Sequence, residues 1–89
     1  MSSAKIEITL VALAAECGGA VRNIHDVRTR ATEAGLVVNY HCNMRPDSSI
    51  HDMHVKVDEL ERALRRQLPA ITRVVGHAEP EAVGLVEAT

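Results

Sequence analysis

Tyr40 is the only aromatic side chain in a chain of 89 residues, which has no Trp and no Phe. Whatever core forms must therefore be closed by aliphatic side chains. A chain of this size buries only about 60–65% of the surface its unfolded form exposes. Metals or oligomerisation often supply extra stability below roughly 70–80 residues. Hydrophobic residues are 46% and charged residues 25% of the sequence, an ordinary globular balance that predicts one domain.

The net charge of -2 gives no general attraction to phosphate backbones or anionic membranes. With one aromatic there is also no stacking platform for nucleic acid. The longest apolar run, Leu10–Ala15, is far short of the ~20 residues of a membrane helix, so no direct membrane insertion is expected. The N-terminus lacks the basic region and cleavage site of a signal peptide, and a cytoplasmic location is expected. There Cys17 and Cys42, which form no CxxC pair, are expected as free, buried thiols.

Ser2 and Ser3 can cap a first helix. Ile6, Leu10, Leu13, Ala14 and Cys17 follow at helical spacing, and Gly18–Gly19 ends the run. The alternation of Ile6, Ile8 and Leu10 also allows a strand over Lys5–Val11. The Ala-rich continuation favours helix.

Val21–Ala31 reads as a strand, Thr32–Gly35 as a hairpin loop and Leu36–Met44 as the returning strand. Val38, Tyr40, Cys42 and Met44 alternate with Asn39, His41 and Asn43. That pattern predicts a sheet with one face in the core and the other wet or in an interface. Asp26, Arg28 and Arg30 alternate with His25, Val27 and Thr29, as a charged, solvated strip would.

Asp47 or Ser48 is the expected cap of a long helix running to about Leu68, which Pro69 ends. Its apolar stripe is Ile50, Met53, Val57, Leu60, Leu64 and Leu68, with Asp52, Lys56, Glu59, Arg62, Arg65 and Arg66 opposite. A last strand spans Ile71–Pro80, and Glu81–Thr89 is expected as an unordered tail.

The predicted fold is α+β, in the order α-β-β-α-β. It is a ferredoxin-like unit lacking its first strand, with a mixed three-stranded sheet and helices on one face. The domain occupies residues 1–80 and the tail 81–89.

In the last strand His77 and Glu79 are two apart and share a face. Imidazole and carboxylate are common ligands of zinc. His41 lies on the polar face of the hairpin, and a neighbouring strand can bring His25 opposite it at about 4.5–5.5 Å. His54 lies at the edge of the helix stripe, where a packed, hydrogen-bonded ring is the simpler expectation. His51 looks like a solvated residue of the capping region. Cys42 points to the core face, and Cys17 is expected in the core. No spare acid or base stands beside the histidines, so no catalytic residue and no enzyme activity is expected. The set suits zinc or a similar borderline metal at about 2.0–2.1 Å from nitrogen. A carboxylate can also bridge two ions.

The runs NIHDVRTR, YHCNM, HDMHVKVDELERALRRQLP and VVGHAEP resemble the cytoplasmic C-terminal domain of the cation diffusion facilitator (cation efflux) transporters. The resemblance covers about Gly19 to Pro80 and is most specific in HDVRTR and the terminal His-x-acid-Pro. It implies a metallochaperone-like fold and a V-shaped homodimer. It also implies zinc-binding positions at His25, His41, His54, His77 and Glu79, with Zn2+ or another divalent transition metal bound, up to two ions per chain. Glu79 stands where zinc exporters typically carry a bridging Asp. A membrane metal transporter is the implied partner. The transporter's membrane domain has no counterpart in the sequence, which leaves a piece of a transporter or a free-standing relative; the free-standing relative is expected, and it would perform no transport. The alternative is a metal-independent dimeric protein-interaction or small-ligand sensor module on the same fold.

Overall fold

The computed structural model describes residues 2–81. The elements follow the expected order: α1 (Ser3–Glu16), β1 (Arg22–Thr32), β2 (Gly35–Met44), α2 (Ile50–Gln67) and β3 (Ile71–Pro80). The expectation for residues 82–89 lies outside the described residues. Glu81 is tied to the sheet: its N–H donates to the Met44 carbonyl at 2.7 Å, and its carboxylate lies 3.5 Å from the Arg22 guanidinium.

The first segment is helix rather than strand. The Ser2 hydroxyl accepts from the Lys5 N–H at 3.2 Å and so satisfies a free donor of the first turn. Ile6, Leu10, Leu13 and Ala14 are buried on one side. At the other end the Gly19 N–H donates to the Ala14 carbonyl at 3.0 Å, with Gly18 and Gly19 at φ of +96° and +73°. Glycine enters that region without a Cβ penalty, which is why the helix stops there.

Ser49 caps α2, in place of the expected Asp47 or Ser48. Its backbone is extended and its hydroxyl accepts from the Asp52 N–H at 3.0 Å. Asp47 is engaged instead with Arg45, 3.2 Å away. The apolar stripe of α2 packs through its C-terminal half, where Leu60 and Leu64 are fully buried. Each such side chain contributes about 1.5–3 kcal/mol. Ile50, at the start of the stripe, is 76% exposed. Arg65 and Arg66 occupy the last turn, where positive charge complements the helix dipole.

The sheet order is β1-β2-β3, with β2 central. β1 and β2 form the expected antiparallel hairpin. β3 pairs parallel to β2, which requires a long crossover, supplied by α2. Val38, Tyr40 and Cys42 of β2 face the helices and join Ile6, Leu10, Leu60, Leu64, Ile71 and Val74 in the core. Tyr40 is completely buried, opposite Gly76 on β3. A Cβ at Gly76 would stand 2.6 Å from Tyr40 Cζ and Oη, so glycine leaves the room that the single aromatic ring fills.

Candidate metal centre

The face of the sheet turned away from the helices carries His41 at its middle. The strand register sets His25 of β1 directly opposite His41, and His77 of β3 opposite His41 on the other side. Three imidazoles from three strands thus form one row. The His25 and His41 ring centroids are 5.7 Å apart, and those of His41 and His77 4.9 Å apart at 22°. His25 and His77 are exposed and His41 is half-buried.

The row depends on two irregularities in β1. The pairing slips between Arg22 and His25 and again between His25 and Arg28. Each slip sets three steps of β1 against two of β2, as a β-bulge does. Asn23 and Asp26 absorb them at φ of +52° and +51°, a region that Asn and Asp tolerate better than most residues. Simple alternation would put His25 and Arg28 on opposite faces. The second bulge instead puts His25, Arg28 and Arg30 on the same face, opposite His41, Asn39 and Val37. The expected division of β1 into two strips is corrected accordingly.

Asp26 is more than part of a solvated strip. Its carboxylate accepts from Arg28 Nε at 2.8 Å and lies 3.6 Å from His41 Nε2. The hydrogen bond from Arg28 holds its carboxyl below the usual carboxylate range, and His41 and His25 act in the same direction. Glu79 lies one step along the sheet from the row, paired with Asn43, and its side chain is exposed. Its backbone carbonyl accepts from Asn43 Nδ2 at 3.3 Å. Asn43 Oδ1 in turn accepts from Asn23 Nδ2.

His54 is not brought to this row. It projects from α2 into a groove of about 470 Å³ between α2 and β3, lined also by Met53, Val57, Gly76 and Ala78. Gly76 and Ala78 alternate with His77 and Glu79, so the groove and the row lie on opposite faces of β3. His51 is exposed on the first turn of α2. Cys42 faces the core, and burial pushes its thiol up to about 11. Cys17 is only half-buried, at the end of α1, which corrects the expectation that it sits in the core.

The donor chemistry of the row, imidazole nitrogen with carboxylate oxygen nearby, fits a borderline divalent ion. Among the described residues, no three His, Cys, Asp or Glu side chains gather about one point. The rings of His41 and His77 stack, so rotation about their side-chain bonds is required before their nitrogens share an ion. Asp26, Asn23 and Asn43 were not singled out as site residues from the sequence. The available signal was an Asn and an Asp, residue types that accept positive φ, on either side of His25.

The family model for the cytoplasmic domain of cation efflux proteins matches residues 5–81, so the match includes α1. No curated protein sequence matches the chain. A structure of CzrB, described as a candidate zinc transporter, in its zinc form is 29% identical; 89% of this chain and 84% of that one are covered, with a TM-score of 0.77. The metal-bound C-terminal domain of the CzcD transporter from Thermotoga maritima is 22% identical, with 98% and 100% covered and a TM-score of 0.74. The MamM CTD in a nickel form is 17% identical, with 88% and 98% covered and a TM-score of 0.73. The last two likenesses speak to the fold. On the match over residues 5–81, the chain belongs to the family of cation efflux protein cytoplasmic domains.

Proposed function

We propose that this chain binds a divalent transition-metal ion, zinc or one like it, on the open face of its sheet and serves as a dimeric regulatory, sensor or carrier module of metal homeostasis. The observation that carries this is the row His25–His41–His77 across all three strands. Those imidazoles are the nitrogen donors, and Glu79 is the carboxylate that could bridge a second ion. His54 lies behind the sheet. For it to take part, a second copy would have to present it to this face, so a His54 ligand would imply a homodimer. The family name and the metal-bound relatives support the reading. A membrane metal transporter is the natural partner. Among the described residues no helix is long and apolar enough to cross a membrane, and the proposed role of these residues is metal binding rather than transport.

Binding requires neutral imidazoles and releases protons. An exchangeable site must be weaker than a structural one, so the metal-free domain is expected to fold and metal to add stability. Calorimetric titration of zinc into the wild type and His77→Ala tests the proposal. Tight binding by the wild type, lost in the variant, supports it. Equal, weak binding by both leaves the metal-independent module as the account.

A further inference from the structure

We propose that Asn23 and Asn43 are positioning residues that fix which nitrogen of His25 is offered to a metal. The inference rests on His25 being a metal ligand, as argued above. His25 Nδ1 is in hydrogen-bond contact with the Asn23 carbonyl. A carbonyl oxygen only accepts, so Nδ1 carries the proton, and in the neutral ring Nε2 holds the free lone pair. A neutral histidine side chain free in water favours the opposite, Nε2–H tautomer. The carbonyl is aimed at the ring by the left-handed turn at Asn23, φ +52°.

Two side-chain amides hold that turn against the sheet. Asn23 Nδ2 donates to Asn43 Oδ1, and Asn43 Nδ2 donates to the Glu79 carbonyl at 3.3 Å. This second row crosses all three strands, one step along from the histidine row. It ties the peptide beside His25 to the strand that carries His77 and Glu79. Partners of this kind fix the orientation of a ligating imidazole, and their loss typically lowers metal affinity about 10–100-fold.

The test has a readout that needs no metal. Long-range 15N–1H correlation spectra of the metal-free protein at pH 8 report the tautomer of each neutral histidine. In the wild type, His25 is expected as the Nδ1–H form. Asn43→Ala removes the central amide, and Asn23→Gly keeps the left-handed backbone while removing the other. Both are expected to keep a wild-type circular dichroism spectrum, to shift His25 toward the Nε2–H form and to weaken zinc binding roughly 10-fold. A wild-type His25 in the Nε2–H form overturns the proposal. So does a pair of folded variants that bind zinc within twofold of wild type. Failure of the wild type to bind zinc would instead remove the metal-binding reading, while the tautomer spectrum still decides the hydrogen-bond assignment.

Discussion

His41 and His77 stand side by side on parallel neighbouring strands, their ring centroids 4.9 Å apart and their planes 22° from parallel. His41 also faces His25 on its other side. It is the only one of the three with an imidazole on both flanks. Replacing it breaks the row into two isolated rings, whereas replacing His25 leaves the His41–His77 pair intact. Zinc affinity of His41→Ala is therefore expected to fall further than that of His25→Ala. Calorimetric titration of the two variants in parallel checks the order, and a larger loss in His25→Ala contradicts it.

Gly76→Ala tests how the sheet accommodates the single aromatic ring. The new Cβ would lie 2.6 Å from Tyr40 Cζ and Oη. Tyr40 is fully buried, so the ring can move away only by displacing its core neighbours or by entering the groove beside Gly76. Overpacking of this kind costs about 1–3 kcal/mol, readable as a lower urea midpoint. A change below about 0.5 kcal/mol, the level of an ordinary surface substitution, would mean the ring is not confined as described.

Tyr40→Phe is expected to go the other way. The Tyr40 hydroxyl is buried and has no hydrogen-bond partner among the described residues. A buried hydroxyl without a partner costs about 1–3 kcal/mol. Its removal should leave stability unchanged or raise it by about 1 kcal/mol. A clear loss in chemical denaturation would show that the hydroxyl has a partner, such as an ordered water.

Cys42 supplies a pH dependence. Burial raises its thiol from the usual 9.0 to about 11, and the Tyr40 phenol is raised by the same cause. A group raised on folding stabilises the fold below its unfolded pKa, and that contribution is lost as pH climbs through the folded value. Stability is therefore expected to fall between about pH 9 and about pH 11. Cys42→Ala should flatten part of that decline in urea titrations across the window. At pH 8 a thiol reagent should label half-buried Cys17 well before Cys42. Equal labelling rates would argue against the burial of Cys42.

The fold was legible because its signals were local and redundant. α2 announced itself through Leu60 and Leu64 at helical spacing and through Pro69. β2 showed itself by the alternation of Val38, Tyr40 and Cys42 with Asn39 and His41. The pairing of His25 with His41 was expected from strand adjacency and is seen in the register. The bulges were not foreseen, because period-two alternation assumes one residue of β1 for each of β2. Asn23 and Asp26 break that count, and with it the assignment of Arg28 and Arg30 to a strip apart from His25. The α2 cap is Ser49 rather than Asp47 or Ser48, because residue propensity does not choose among neighbouring Asp and Ser positions that can all cap. Gly76 gave no sign of its role, since the Tyr40 ring it accommodates is 36 residues away in the chain. His54 was grouped with the other histidines by resemblance alone, and the sheet separates them.

The most direct measurement is a crystal structure of zinc-soaked protein with anomalous scattering recorded at the zinc edge. The account predicts an anomalous peak on the open face of the sheet, about 2.0–2.1 Å from nitrogens of at least two of His25, His41 and His77. A second peak held by Glu79 would fix it as the bridge, and a His54 ligand should come from the other protomer. Peaks confined to other surfaces, or none at saturating zinc, would contradict the central claim.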